Sequence, residues 1–143
     1  MDNARGYNLL EVILVCGLVG SVSTIGLSSL QGMGEQQRLH VAAESFLSTV
    51  TGARFQAVSK NLAVRVLVHT DHRKFAVVVN NEEAAIWQSL PSGVTFSRVP
   101  RKPPTFYSRG FASPGGTFTL TNRCGRIRVI ISLSGRARWE RID

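Results

Sequence analysis

Cysteine is nearly absent from this chain, which carries only Cys16 and Cys124 in 143 residues. Two cysteines make no disulfide framework, and a bridge between a residue of the first apolar run and one near the C-terminus is not expected on geometry. Proline is missing before Pro91, so nothing of that kind breaks a helix in the first ninety residues. Acids are scarce, nine against 17 Lys and Arg. There is no repeat or low-complexity segment, no Ser/His/Asp arrangement, no Cys/His pairing and no phosphate-cradling glycine loop. Those gaps argue against an enzyme, and no cofactor is implied. His69, Asp71 and His72 lie close enough to be weighed as metal ligands. Crowded around one short turn, they read as a solvated hairpin tip instead.

What is present begins with an apolar run over residues 9–30 in which Glu11 is the only charge. At about 1.5 Å per residue such a run crosses a hydrocarbon core of about 30 Å as a helix. A carboxylate there is costly, so Glu11 is either tolerated near the interface or seeks a cation from another chain. The spacing of Leu39, Ala43, Phe46, Val50, Ala53 and Ala57 extends the same helix, now amphipathic, to about Lys60. Gly32 and Gly34 are the places where it would bend or melt.

Beyond Asn61 the period becomes extended. Residues 63–69 and 75–80 predict a hairpin, followed by a turn at 80–83 and a strand at 84–90 with Trp87 in the core. Val94, Phe96 and Arg98 alternate with Thr95, Ser97 and Val99 as in a half-buried strand. Strands are further expected at 105–107, 117–121, 126–132 and 136–142, with a loop over 108–116. Cys124 is expected to be buried.

The net charge of +8 accumulates entirely from Arg98 onward, where ten bases face only Glu140 and Asp143. That asymmetry suggests an anionic partner, nucleic acid or a lipid surface. Nine of the ten are Arg, whose planar fork suits phosphate. Pro100-Arg101-Lys102-Pro103-Pro104 is a stiff basic loop. If Leu133-Ser134-Gly135 forms a three-residue hairpin loop, Ser132 pairs with Arg136, Ile130 with Arg138 and Arg128 with Glu140. Arg126, Arg128, Arg136 and Arg138 then share one face. A two-residue loop would break the stripe. Few aromatics accompany these arginines, so base stacking is not expected.

The stretch Gly6-Tyr7-Asn8-Leu9-Leu10-Glu11-Val12 and the run after it resemble the class III leader of type IV prepilins. The resemblance implies cleavage by a prepilin peptidase between Gly6 and Tyr7 and N-methylation of Tyr7. It also implies assembly through pairing of Glu11 with a neighbour's terminal amine. At the other end, residues 106–110, Gly115-Gly116-Thr117, Leu120, Gly125, Ile130-Ile131-Ser132 and Gly135-Arg136-Ala137-Arg138 resemble the C-terminal domain of the GspH/FimT family of minor pilins and pseudopilins. That family implies an α+β, type IV pilin-like fold, a long N-terminal helix packed on a two-sheet antiparallel β domain. The expected division is a leader at 1–6, a transmembrane half-helix at 7–30, an amphipathic half at 31–60 and a β-rich domain at 61–143. The implied partners are major and minor pilins, the peptidase and the bacterial inner membrane. The protein would cross it once, with its C-terminal domain in the periplasm before entering a pilus or pseudopilus. In the FimT branch a Gly-Arg-x-Arg motif takes part in DNA capture, and Gly135, Arg136 and Arg138 match it. Double-stranded DNA is then a candidate partner, with Arg101, Lys102, Arg126 and Arg128 as further contacts. The alternative is a type II secretion pseudopilin with no nucleic-acid role.

Overall fold

A computed structural model describes residues 9–80 and 86–142, those of 22–33 by backbone alone. The expected leader, the cleavage site at Gly6 and Tyr7 and most of the turn at 80–83 lie outside the described residues. Helix α1 runs over Leu9–Lys60 as one uninterrupted element, so the glycines near 32–34 do not melt it. The chain divides into two compact units after Gly34. In the first, Leu9, Leu10, Val12, Ile13, Leu14, Val15, Leu18 and Val19 are all exposed. Among the described residues no helix is long and apolar enough to cross a membrane, and residues 22–30 of the apolar run fall outside that search.

The second unit, Glu35–Asp143, contains the core. Its strands are β1 Val64–Val68, β2 Lys74–Val79, β3 Gln88–Ser89, β4 Thr95–Arg98, β5 Thr105–Phe106, β6 Ala112–Ser113, β7 Gly116–Asn122, β8 Gly125–Ile131 and β9 Ala137–Ile142. They form two antiparallel sheets, ordered β3-β2-β1-β5-β6 and β4-β7-β8-β9. The helix buries Leu39, Ala42, Ala43, Phe46, Val50, Ala53 and Ala57, a stripe at the three-to-four-residue spacing read from the sequence. Val64, Val66 and Phe75 of the first sheet and Phe118, Leu120, Ile127, Val129 and Ile131 of the second close over it.

Three expectations fail for local reasons. Trp87 is 40% exposed, standing edge-on to His69 with centroids 5.1 Å apart, because among the described residues of its segment only Gln88–Ser89 pairs with β2. Cys124 is exposed, since it sits in the turn between β7 and β8, where its N–H donates to Asn122 Oδ1 at 2.9 Å. The expected loop at 108–116 contains β6, which pairs with β5 and makes a hairpin of it.

Candidate nucleic-acid interface

The β8–β9 hairpin has the register that a three-residue loop dictates. Ile130 faces Arg138 and Arg128 faces Glu140, while Ser132 N–H donates to Arg136 O at 2.9 Å. Gly135 takes φ 76°, a left-handed conformation that glycine adopts without a Cβ penalty. Ile127, Val129 and Ile131 are therefore buried, and Ala137 and Trp139 pack against the core. The even-numbered residues lie on the outer face, with Arg126, Arg136 and Arg138 exposed and Arg128 half-buried. Along a strand the two-residue repeat is about 6.8 Å, so Arg126 and Arg136 stand near opposite ends of a stripe roughly 20 Å long.

A fifth arginine joins this face through an irregularity. Phe96 pairs with Leu120, yet Arg98 pairs with Thr119, a shift by one residue. Regular alternation would put Arg98 on the same side as Phe96, toward the core. The bulge turns it outward, completing a row of Arg98, Thr119, Arg128 and Glu140 across all four strands. Thr119 is 7% exposed between the two arginines. Arg128 donates to Glu140 Oε1 at 3.0 Å with both side chains part-exposed, a pair contributing about 0.2 to 1 kcal/mol. Its charge is therefore partly satisfied. Arg98, Arg126, Arg136 and Arg138 have no carboxylate partner among the described residues.

Glycines bring a second bank of cations to the hairpin end of the sheet. A Cβ on Gly116 would lie 3.0 Å from Pro100 Cγ and 3.4 Å from Pro104 Cγ, and one on Gly115 would lie 2.7 Å from Ile131 O. The stiff loop holding exposed Arg101 and Lys102 is thus drawn beside the Ser132 to Arg136 turn. Gly110 packs directly on Gly135, its carbonyl accepting from Arg54 Nε at 2.8 Å, which places exposed Arg109 at the same end. Arg101, Lys102, Arg109 and Arg136 are carried by three loops at this end of the sheet, whereas Arg126 and Arg123 lie toward the far end by Gly125. Glu35 and Glu44 are on the helix, and the backbone carbonyl of Glu35 accepts from Asn122 Nδ2 at 2.6 Å at that far end.

Arg98 and Arg109 stand outside the set expected to bind. An arginine at an inward strand position is the signal for the first, because burying an unpaired guanidinium is prohibitive and a bulge is the cheap escape. The expectation that aromatics are sparse here is also corrected: Tyr107 and Phe111, 39% and 41% exposed, flank Arg109 and stack with centroids 5.4 Å apart. At the β1–β2 tip, Asp71 accepts from Arg73 N–H at 2.9 Å and lies 3.1 Å from His69 Nδ1. The Arg73 amide first, then His69, holds its carboxyl below the usual range. These contacts account for the tip as a turn. Among the described residues no three metal-ligating side chains gather.

The family model described as type II transport protein GspH matches residues 42–135. Pilin-like protein PilA1 of Thermus thermophilus is 28% identical over 95% of this chain and 98% of its own. Among solved structures, the type IV minor pilin FimU of Pseudomonas aeruginosa superposes with a TM-score of 0.63 at 22% identity, over 76% of this chain and 92% of that one. The minor pseudopilin EpsH from the type 2 secretion system of Vibrio cholerae gives 0.58 at 16% identity, over 73% and 97%. Both likenesses bear on the fold, a helix on two antiparallel sheets.

Proposed function

Because the chain belongs to the GspH family, a group of minor pilins and pseudopilins that serve in type IV pili or type II secretion, we propose that it is a minor type IV pilin that captures DNA. The observation that carries the DNA part is the arginine face: Arg136 and Arg138 exposed without a carboxylate partner among the described residues, with Arg101, Lys102 and Arg109 at the same end. Such contacts are to phosphate, independent of sequence and released by salt. The pilus part is supported by the match to PilA1 along nearly the whole of both chains. The second reading, a type II secretion pseudopilin that binds no nucleic acid, has the description of the matched family in its favour.

DNA binding by the full chain in non-ionic detergent, followed across a salt series, separates the two. Removing one phosphate-binding arginine should reduce the log–log salt slope by about 0.9 and weaken binding roughly tenfold near 0.1 M salt. Arg136→Ala and Arg138→Ala should each do so, and the double variant should add the two. Absence of binding at low salt would leave the secretion reading standing.

In the same proposal the peptidase cuts between Gly6 and Tyr7, Tyr7 is N-methylated, and Glu11 meets a neighbouring pilin's terminal amine. Glu11 lies in the first turn of α1, where a carboxylate suits the helix dipole. The uncovered apolar side chains over Leu9 to Val19 support residence in the inner membrane, and later among other pilin helices, with the β domain periplasmic. Gly6→Val should leave full-length precursor in the membrane fraction on an immunoblot. Glu11→Ala should be cut normally yet be depleted from sheared filaments. Normal processing of the Gly6 variant would sink the leader reading.

A further inference from the structure

The β5–β6 hairpin carries two rings that phosphate binding does not use. Tyr107 and Phe111 stack with their planes 28° apart, and a closed turn fixes them. Tyr107 N–H donates to Phe111 O at 3.0 Å and Gly110 N–H to Tyr107 O at 2.8 Å. Tyr107 also lines an open recess of about 320 Å³ shared with Arg65, Val78, Asn80 and Thr105. That recess combines a ring, an apolar floor, an amide, a hydroxyl and a cation, with no carboxylate among the described residues of its wall. Its position is tied to the arginines, because Gly110 lies between Arg109 and Phe111 and packs on Gly135, the neighbour of Arg136.

We propose that the recess at Tyr107 is a subsite for one unpaired nucleotide, a reading that rests on the DNA-binding function above. The base stacks on Tyr107, with Phe111 supporting the ring from its other side. Asn80 and Thr105 offer donors and acceptors to the base edge, and Arg65 and Arg109 take the adjoining phosphates. Bases inside a duplex already have both faces stacked, so the subsite selects single strands or frayed ends.

The test uses the full chain in non-ionic detergent and fluorescence anisotropy with three probes: a blunt duplex, the same duplex with a single-stranded tail, and the single strand alone. The tailed duplex should bind more tightly than the blunt one. Tyr107→Leu, which keeps apolar bulk, should weaken binding of the tail and the single strand roughly tenfold, the range expected for losing one stacked base. Blunt-duplex affinity should be unchanged. Equal affinity for tailed and blunt probes, or equal losses on both, would overturn the subsite while leaving the arginine face intact. Failure of the unaltered chain to bind any probe would overturn both readings.

Discussion

Gly135→Ala is expected to lower the thermal unfolding midpoint by about 12 to 40 °C, or to yield no folded protein. The added Cβ would overlap the carbonyl oxygen of Gly110 and approach Arg54 Nε to 3.0 Å. The φ of 76° alone costs an alanine about 1 to 2 kcal/mol. The overlap cannot be relieved by rotating a side chain, because the obstacle is backbone. Either the β8–β9 turn shifts or the Arg54 to Gly110 hydrogen bond breaks, and a charge-assisted bond contributes about 1.5 to 3 kcal/mol. A total of roughly 3 to 5 kcal/mol is a large share of a stability of about 5 to 15. At about 4 to 8 °C per kcal/mol for a domain of this size, the midpoint falls by the amount stated. Gly110→Ala provides the control. It has nearly the same φ, 81°, but its Cβ would meet only side-chain atoms, the nearest at 3.4 Å, so the loss should stay near 1 to 2 kcal/mol. A small shift for Gly135→Ala, read by circular dichroism in detergent, would mean that the turn swings free of Gly110. The expected outcome has a functional corollary: the glycine of the Gly-Arg-x-Arg motif is there for packing, and loss of DNA binding on replacing it would say nothing about contact.

That double duty explains which parts of the molecule were legible in the sequence. The β8–β9 register followed from one glycine and alternating side chains, because a turn length and a period of two leave a single way to bury Ile127, Val129 and Ile131. The helix was legible for the same reason, its buried stripe being local and periodic. Arg98 was not, because the bulge that turns it outward depends on β7, about twenty residues away, and strand periodicity carries no sign of an inserted residue. Trp87 and Cys124 belong to the core by residue type alone, which is a preference of populations and yields to a two-residue strand or an exposed turn. The gathering of the loops that carry Arg101, Arg109 and Arg136 was equally hidden. It depends on Gly110, Gly115 and Gly116 letting three loops approach, and a glycine in the sequence does not name the backbone that will pass it.

Phe46→Ala is the core substitution expected to cost most, about 3 to 5 kcal/mol. Phe46 is wholly buried, and its ring meets Phe75 of β2, Phe96 of β4 and Phe118 of β7 at 5.1, 5.2 and 4.9 Å, each edge to face. One residue thus joins the helix to both sheets. The surrounding rings are themselves locked, Phe75 to Phe96 at 6.3 Å and Phe96 to Phe118 at 6.1 Å, so collapse into the cavity is limited. The urea midpoint should drop with the slope unchanged, which marks reduced stability and not an altered unfolded state. Phe46→Leu should recover much of the loss by filling part of the cavity. The comparison matters for the arginines on the outer face of the β4-β7-β8-β9 sheet. If Phe46→Leu, measured below its own transition, binds DNA as the unaltered chain does, then stability and binding are separable here, and a deficit in Arg136→Ala can be assigned to the guanidinium itself.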